Sequence, residues 1–271
     1  MPAMSHLLDP VRLDKKLKLS DYPSDDTGQF KDKADAAEST AENLRKLDEL
    51  QQVLYAQGKY ALLIVFQAMD GGGKDGAIEH VFSGVNPQGC KVTSFKEPST
   101  NELAHDYLWR IHTATPGRGT IGIFNRSHYE SVLVERVKDL VPRKVWTRRF
   151  DHINNFEKLL ADEGTVIIKF FLHISWEEQK KRMEKRLADP HKNWKFSPDD
   201  LKERRRWSDY MVAYEEAVSR CSTDYAPWYI VPADHKWYRN WFVSHTIVKT
   251  LKKLDLEYPP PLKDADKYKV K

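Results

Sequence analysis

Three consecutive glycines, Gly71, Gly72 and Gly73, lie between an acid, Asp70, and a base, Lys74, with Asp75 and Gly76 following. Glycine backbones can curl so that several N–H groups face one anion. A lysine at the end of the curl adds a full positive charge, and a helix opening there adds the partial charge of its N-terminus. The chemistry these residue types support is phosphate binding. The flanking residues supply the rest of the layout. Ala61 to Phe66 is an unbroken apolar run that reads as a buried strand, and a helix is expected to open at Asp75 or Gly76. Strand, glycine turn, lysine, helix is the order of a P-loop; an ordinary tight turn between strand and helix is the plain alternative.

The pattern G-x-x-x-x-G-K-[ST] is met imperfectly. It asks for a glycine at 68 and a hydroxyl at 75, where this chain has Ala68 and Asp75. That hydroxyl ordinarily ligates Mg²⁺. The metal, Mg²⁺ or Mn²⁺, must then be held another way, and Asp70 is the nearest oxygen ligand. Asp70 reads either as the principal metal contact or as the residue that orients an acceptor phosphate; a turn aspartate capping the next helix is the alternative. For Asp75 the cap is the favoured role.

Two further stretches carry charge suited to phosphoryl transfer, which needs positioning and charge neutralisation more than covalent chemistry. A second apolar run, Thr120 to Phe124, delivers Asn125-Arg126-Ser127-His128-Tyr129-Glu130. Asn125 stands where P-loop kinases often carry an aspartate; it can hold a metal's water but cannot neutralise charge. Arg126 reads as a phosphate clamp. Glu130 has three possible faces: the acceptor nucleotide, the metal or solvent. Lys180 to Arg206 holds eleven Lys and Arg against five Asp and Glu. Arg182 and Arg186 are four apart and share a helix face. Lys192, Trp194, Lys195 and Phe196 follow in a loop broken by Pro190. A basic helix, loop, helix unit inserted between core strands suits a lid that closes over phosphates and excludes water. A solvated helix pair or a nucleic-acid patch would have the same composition. Lys96, Glu97 and Arg110 are weaker candidates for contact with an acceptor nucleotide, and no histidine has metal-ligand spacing.

The elements that must position these residues alternate. Helices are expected over 33–57, from the glycine turn to about Gly84, from Ser99 or Thr100 to about Thr115 with Glu102 as capping partner, over 128–138 and 143–162, over 176–187, for about twenty residues from Pro198, and over 237–254. Strands are expected at 61–66, 90–95, 120–124, 165–174 and 228–232. This is an α/β fold with a mostly parallel sheet flanked by helices. In such sheets ligands sit beyond the carboxyl ends of strands, so the glycine turn, Lys96-Glu97-Pro98 and Asn125-Arg126-Ser127 should line one crevice. Residues 1–32, polar and carrying Pro2, Pro10 and Pro23, read as an extended arm; 33–257 as the core domain with a lid at about 176–206; and 258–271 as a tail.

Composition narrows the class. The 271 residues are 40% hydrophobic and 31% charged with net charge +4, which is globular and only mildly basic. Cys90 and Cys221 sit in no metal-like spacing, so a reduced cytoplasmic setting is the simplest reading. Neither an apolar leader nor a membrane span is visible.

Taken together, GGGKDG at 71–76, FNRSHYE at 124–130, KRMEKRL…WKF within 181–196, TDYAPWYIVPAD at 223–234 and the following KWYRNW resemble the polyphosphate kinase 2 family over about residues 45–255. The resemblance implies a thymidylate-kinase-like P-loop fold with a helical lid. It implies Mg²⁺-dependent, reversible phosphate transfer between inorganic polyphosphate and nucleotides (ADP, AMP and ATP, with guanine nucleotides open), with no nucleic acid and no membrane. Asn125 with Glu130 is similar to the class III branch, which handles AMP and ADP; many relatives carry Asp and Asn there instead. Members are commonly homo-oligomers, often tetramers. On this reading Lys74, Arg126, Arg182 and Arg186, with Lys192 and Lys195 further out, line a basic channel for a polyanionic donor. Asp70 holds Mg²⁺ and the nucleotide phosphate, with Glu130 a candidate partner, and the acceptor's own phosphate oxygen attacks in line. An ATP-dependent nucleoside monophosphate kinase and a polyanion-binding module with a degenerate P-loop are the rival readings.

Overall fold

The computed structural model describes residues 8–12, 17–263 and 265–268. Residues 1–7 and 13–16 of the expected arm, Pro2 included, and 264 and 269–271 of the expected tail lie outside the described residues. Five strands, β1 (Ala61–Gln67), β2 (Cys90–Ser94), β3 (Ile121–Asn125), β4 (Thr165–His173) and β5 (Trp228–Pro232), form one sheet in the order β2-β3-β1-β4-β5. Every pairing is parallel. β1 is buried along its whole length, as a central parallel strand with helices on both faces must be.

The topology decides where a ligand can go. After β1 the chain leaves for β2 at one edge; after β3 it crosses β1 to reach β4 on the other side. The carboxyl ends of β1 and β3 therefore flank the crevice where connections diverge, the usual ligand position in such sheets. Leu62↔Ile121 through Phe66↔Asn125 is the register that puts the glycine turn beside Asn125-Arg126-Ser127.

Alternate β1 residues serve two cores. Leu62, Ile64 and Phe66 pack with α1 (Ala37–Gln57), α2 (Lys74–Phe82) and α10 (Lys236–Leu251), while Leu63 and Val65 pack with α6 (Arg143–Asp162) and α9 (Trp207–Cys221). The described part of the N-terminal segment runs over this body: the Val11 N–H donates to the Trp228 carbonyl at 2.9 Å, and Phe30 meets the Trp241 ring edge-on at 4.7 Å. Among the described residues no helix is long and apolar enough to cross a membrane.

Three expected helices are divided into shorter pieces. The one from Ser99 splits into α3 (Thr100–Leu103), with the Ser99–Glu102 capping box in place, and α4 (Trp109–His112). Between them the Asp106 carboxylate takes the Leu108 N–H at 2.9 Å, a local turn that competes with the helix. Residues 128–138 divide into a 3₁₀ turn, His128–Ser131, and α5 (Val134–Val137). The helix from Pro198 is interrupted at Arg206, giving α8 (Pro198–Arg205) before α9; Arg206 Nη1 is drawn to the Val137 carbonyl at 2.5 Å. α7 (Trp176–Ala188) precedes these.

His173 closes β4, and burial pushes its imidazole down from 6.5 to about 4; His80, His128 and His245 move in the same direction. The unfolded chain takes protons near 6.5 that the native state refuses, so stability is full above that pH and is lost as pH falls toward the folded values. We predict falling urea midpoints between pH 7 and 4, with His173 alone contributing at most about 3 kcal/mol. A His173→Asn protein should lose part of that slope; an identical slope in both proteins would contradict the assignment.

Candidate active site

The glycine turn is built from two kinds of constraint. Gly71 and Gly73 have φ of +81° and +93°, which only glycine adopts without strain. Gly72 is required by space instead: a Cβ there would lie 2.5 Å from the Ala68 Cβ and 2.8 Å from the Met69 carbonyl oxygen. Gly73 is the N-cap of α2, so the helix opens at Lys74, one residue earlier than the sequence suggests. Lys74 folds back, and its Nζ donates to the Ala68 carbonyl at 3.1 Å. Burial lowers its pKa, and Asp70 pulls the other way.

Two guanidinium groups hold the turn from behind. Arg182 Nη1 donates to the carbonyls of Gly71 and Gly72, both at 3.1 Å, and Nη2 to those of Ala233 and Asp234 at 2.5 and 3.0 Å. Its Nε is held by the Glu178 carboxylate at 2.7 Å. Arg239 Nη1 donates to the Gly73 carbonyl at 3.1 Å, and the Asn240 side chain takes its other donors. Burial, with Arg182 adding repulsion, lowers Arg239 to about 10. Sequence reasoning missed Arg239. The signal was present: an arginine inside KWYRNWFV, an aromatic helix face with no solvent side to receive it.

The front of the turn is charged in alternation. Arg126 ends the β3 segment with φ of +63°, a left-handed conformation uncommon outside glycine, and its N–H is tied to the Phe66 carbonyl at 3.1 Å. That backbone aims the guanidinium between Asp70, at 3.2 Å, and Glu130, at 4.0 Å. Burial opposes its charge, yet Glu130 and Asp70 hold its pKa above the ordinary value. Burial raises Glu130, against the pull of Arg126 and Lys74. Asp75 does not cap α2, whose cap residue is Gly73 without a side chain; its carboxylate accepts from Asn125 Nδ2 at 2.6 Å, which locks the β3 end to the start of α2. A cleft beside the turn is lined by Asp70, Arg126, Glu130, Lys138, Glu203 and Tyr210.

The family model of Polyphosphate kinase 2 (PPK2) matches residues 30–259. The chain belongs to the polyphosphate kinase 2 family. It is 53% identical over 258 residues to a Meiothermus ruber protein called AMP/ADP-polyphosphate phosphotransferase, covering 95% of this chain and 97% of that one. An ADP-polyphosphate phosphotransferase of Rhodopseudomonas palustris is 46% identical, over 90% and 89% of the two chains. The crystal structure of polyphosphate kinase 2 from Arthrobacter aurescens TC1 superposes with a TM-score of 0.91 at 39% identity, covering all of this chain and 95% of that one.

In this member of the polyphosphate kinase 2 family, Asp70, Arg126 and Glu130 line one cleft; Lys74 is buried close enough to feel all three charges, and Asp75 and Asn125 pair at the start of α2. Arg182 is at the crevice too, but its donors are spent on carbonyls behind the turn, which differs from the channel-lining placement expected from the sequence. Arg186, Lys192 and Lys195 belong to the α7–α8 unit and face its own residues. Arg186 lies 3.6 Å from Asp200 and Lys192 3.1 Å from Asp189, and Lys195 sits 5.2 Å from the centre of the Trp194 ring. None of α8 is buried. Gln179 links this unit to the site, donating to the Asp70 carbonyl at 2.8 Å and accepting from Arg204 at 2.6 Å. Arg110, a weaker candidate, donates to the Lys96 carbonyl at 2.9 Å.

Among the described residues no three His, Cys, Asp or Glu side chains gather as a metal site. The donor set instead suits an ion that arrives with phosphates: Mg²⁺ is usually held by one or two carboxylates, with water and phosphate completing its shell. Asp70 and Glu130, flanking Arg126, fit that requirement.

The turn geometry makes a prediction. A Gly73→Ala Cβ would lie 2.3 Å from Arg239 Nη1 at a φ of +93°. We expect a folded protein with turnover reduced by at least about tenfold, the strain being about 1–3 kcal/mol. Steady-state kinetics beside a thermal melt checks this; wild-type turnover would mean that the turn is not constrained from behind.

Proposed function

We propose that this protein is a polyphosphate-dependent nucleotide phosphotransferase that moves phosphoryl groups reversibly between inorganic polyphosphate and ADP or AMP, with Mg²⁺. The observation that carries this reading is likeness along nearly the whole chain to a protein bearing that name, beside a charged cleft at the glycine turn. The N–H groups of the glycine turn and the first turn of α2, with Lys74, bind the transferring phosphate. Arg126 spans the charge between donor and acceptor phosphates, and Asp70 and Glu130 on either side of it balance that charge. Asp70, with Glu130, would hold the metal, which when bound neutralises phosphate charge. The acceptor's terminal phosphate oxygen attacks in line, so no phosphoenzyme forms. The basic residues Arg186, Lys192 and Lys195 of the α7–α8 lid serve the distal donor chain, and Arg182 braces the turn. The protein works as a homo-oligomer in the cytoplasm.

Incubation with ADP or AMP, Mg²⁺ and polyphosphate is expected to yield ATP, or ADP and then ATP. Lys74→Ala and Asp70→Ala should each cost at least about a hundredfold in rate, or roughly 3 kcal/mol. Transfer from ATP to a nucleoside monophosphate with none from polyphosphate would overturn the donor assignment, and near-wild-type turnover in both variants would overturn the site.

A further inference from the structure

Beneath the Arg126–Glu130 segment lies a charged cluster with no access to solvent. Lys169 projects from the middle of β4, and its three N–H donors are all used: on Glu157 at 2.5 Å, the Cys221 carbonyl at 2.7 Å and the Tyr129 hydroxyl at 2.8 Å. The other Glu157 oxygen accepts from the Tyr129 hydroxyl at 3.0 Å and meets His128 Nε2 at 3.1 Å. The Lys169 and Glu157 side chains are 0% exposed. The carboxylate, holding one ammonium, requires a proton on His128 Nε2; His128 Nδ1 is then bare, in agreement with its lack of a partner. Burial keeps that imidazole neutral.

Such a cluster is a poor source of stability. Desolvating an ion pair cancels most of its attraction, and apolar residues of equal volume often do as well. A fully bonded network does fix direction, which apolar packing does not. Here the direction matters, because the segment faces two ways. His128 and Tyr129 point into the cluster, while Arg126 and Glu130, on either side of them, point into the crevice. Ser127 is clamped as well: its hydroxyl accepts from Gln67 Nε2 at 3.1 Å and from the Tyr129 N–H at 3.2 Å. The left-handed backbone at Arg126 costs about 1–3 kcal/mol and persists only when its surroundings impose it.

We propose that the buried Lys169–Glu157–His128–Tyr129 network is the positioning device of the active site, holding the 126–130 turn so that Arg126 and Glu130 keep their places beside Asp70. His128 and Tyr129 are positioning residues that act through Arg126. The kinetic form of this inference rests on the proposed phosphotransfer.

Tyr129→Phe removes one hydroxyl and keeps the ring. It should lower kcat about tenfold with both KM values within about twofold. In an Arg126→Ala background the same change should cost less than about threefold, since neighbours acting as one unit are not additive. His128→Gln, which still offers a donor to Glu157, should stay near wild type, and His128→Leu should fall as Tyr129→Phe does. That pair decides the matter if Tyr129→Phe does not fold. Hydrogen exchange gives an arm independent of turnover: in Tyr129→Phe or His128→Leu, amides 126–131 should exchange faster while β1 and α6 do not. Multiplicative losses with Arg126→Ala, equal behaviour of His128→Gln and His128→Leu, or exchange that rises evenly through the molecule would overturn the network's role. A wild-type protein inactive with polyphosphate would overturn the proposed reaction, and the exchange arm would still judge the network.

Discussion

The site depends on where three carbonyl oxygens point. A peptide unit is planar, with C=O and N–H opposed. When Arg182 takes the carbonyls of Gly71 and Gly72, and Arg239 shares that of Gly73 with the Ala77 N–H at 3.0 Å, the N–H groups of the same peptide units are turned to the other side. The Gly72 N–H closes the turn on the Met69 carbonyl at 2.9 Å. By peptide planarity those of Gly73 and Lys74 are turned away from the two guanidiniums, at the start of α2, where a helix begins with unpaired N–H groups. The two guanidiniums thus shape the turn through its carbonyls. Burial, and to a lesser extent their closeness, has a cost, visible in the lowered pKa of Arg239, and both charges raise the potential around the turn.

That potential explains the carboxylates. A crevice with Lys74, Arg126, Arg182 and Arg239 around one turn would repel itself when no phosphate is bound. Asp70 and Glu130 flank Arg126 and keep its charge in place. On the proposed reading, the same pair would supply the oxygen ligands that a P-loop lacking a Ser or Thr hydroxyl needs. The substitution of Asp75 for that hydroxyl is not idle: by accepting from Asn125 it ties the β3 end to the start of α2. The acid at 70 and the departure at 75 from the common P-loop pattern are therefore parts of one arrangement.

Much of this was legible in the sequence because it is local. β1, α6 and β5 follow from apolar runs and periodicity, and the crevice follows from parallel topology. What could not be read depends on partners far along the chain. Lys169, in the apolar run TVIIKFFLH, announces a buried charge, but Glu157 and Tyr129 lie on other elements and no spacing rule names them. Arg239 is a comparable case. Arg182 was read as facing ligand because a basic helix looks alike on every side; only the fold shows that its donors meet carbonyls. The splits at Asp106 and Arg206 arise from single side-chain contacts that override helical periodicity.

Arg182 and Arg239 are expected to create phosphate affinity from behind the turn. Calorimetric titration of tripolyphosphate into wild type, Arg182→Met and Lys74→Ala tests it most directly. If the brace shapes the site, Arg182→Met weakens binding at least about tenfold, as Lys74→Ala does, a loss of roughly 1.4 kcal/mol. If Arg182→Met binds tripolyphosphate as wild type does while Lys74→Ala does not, the turn holds its shape unaided and the account is wrong.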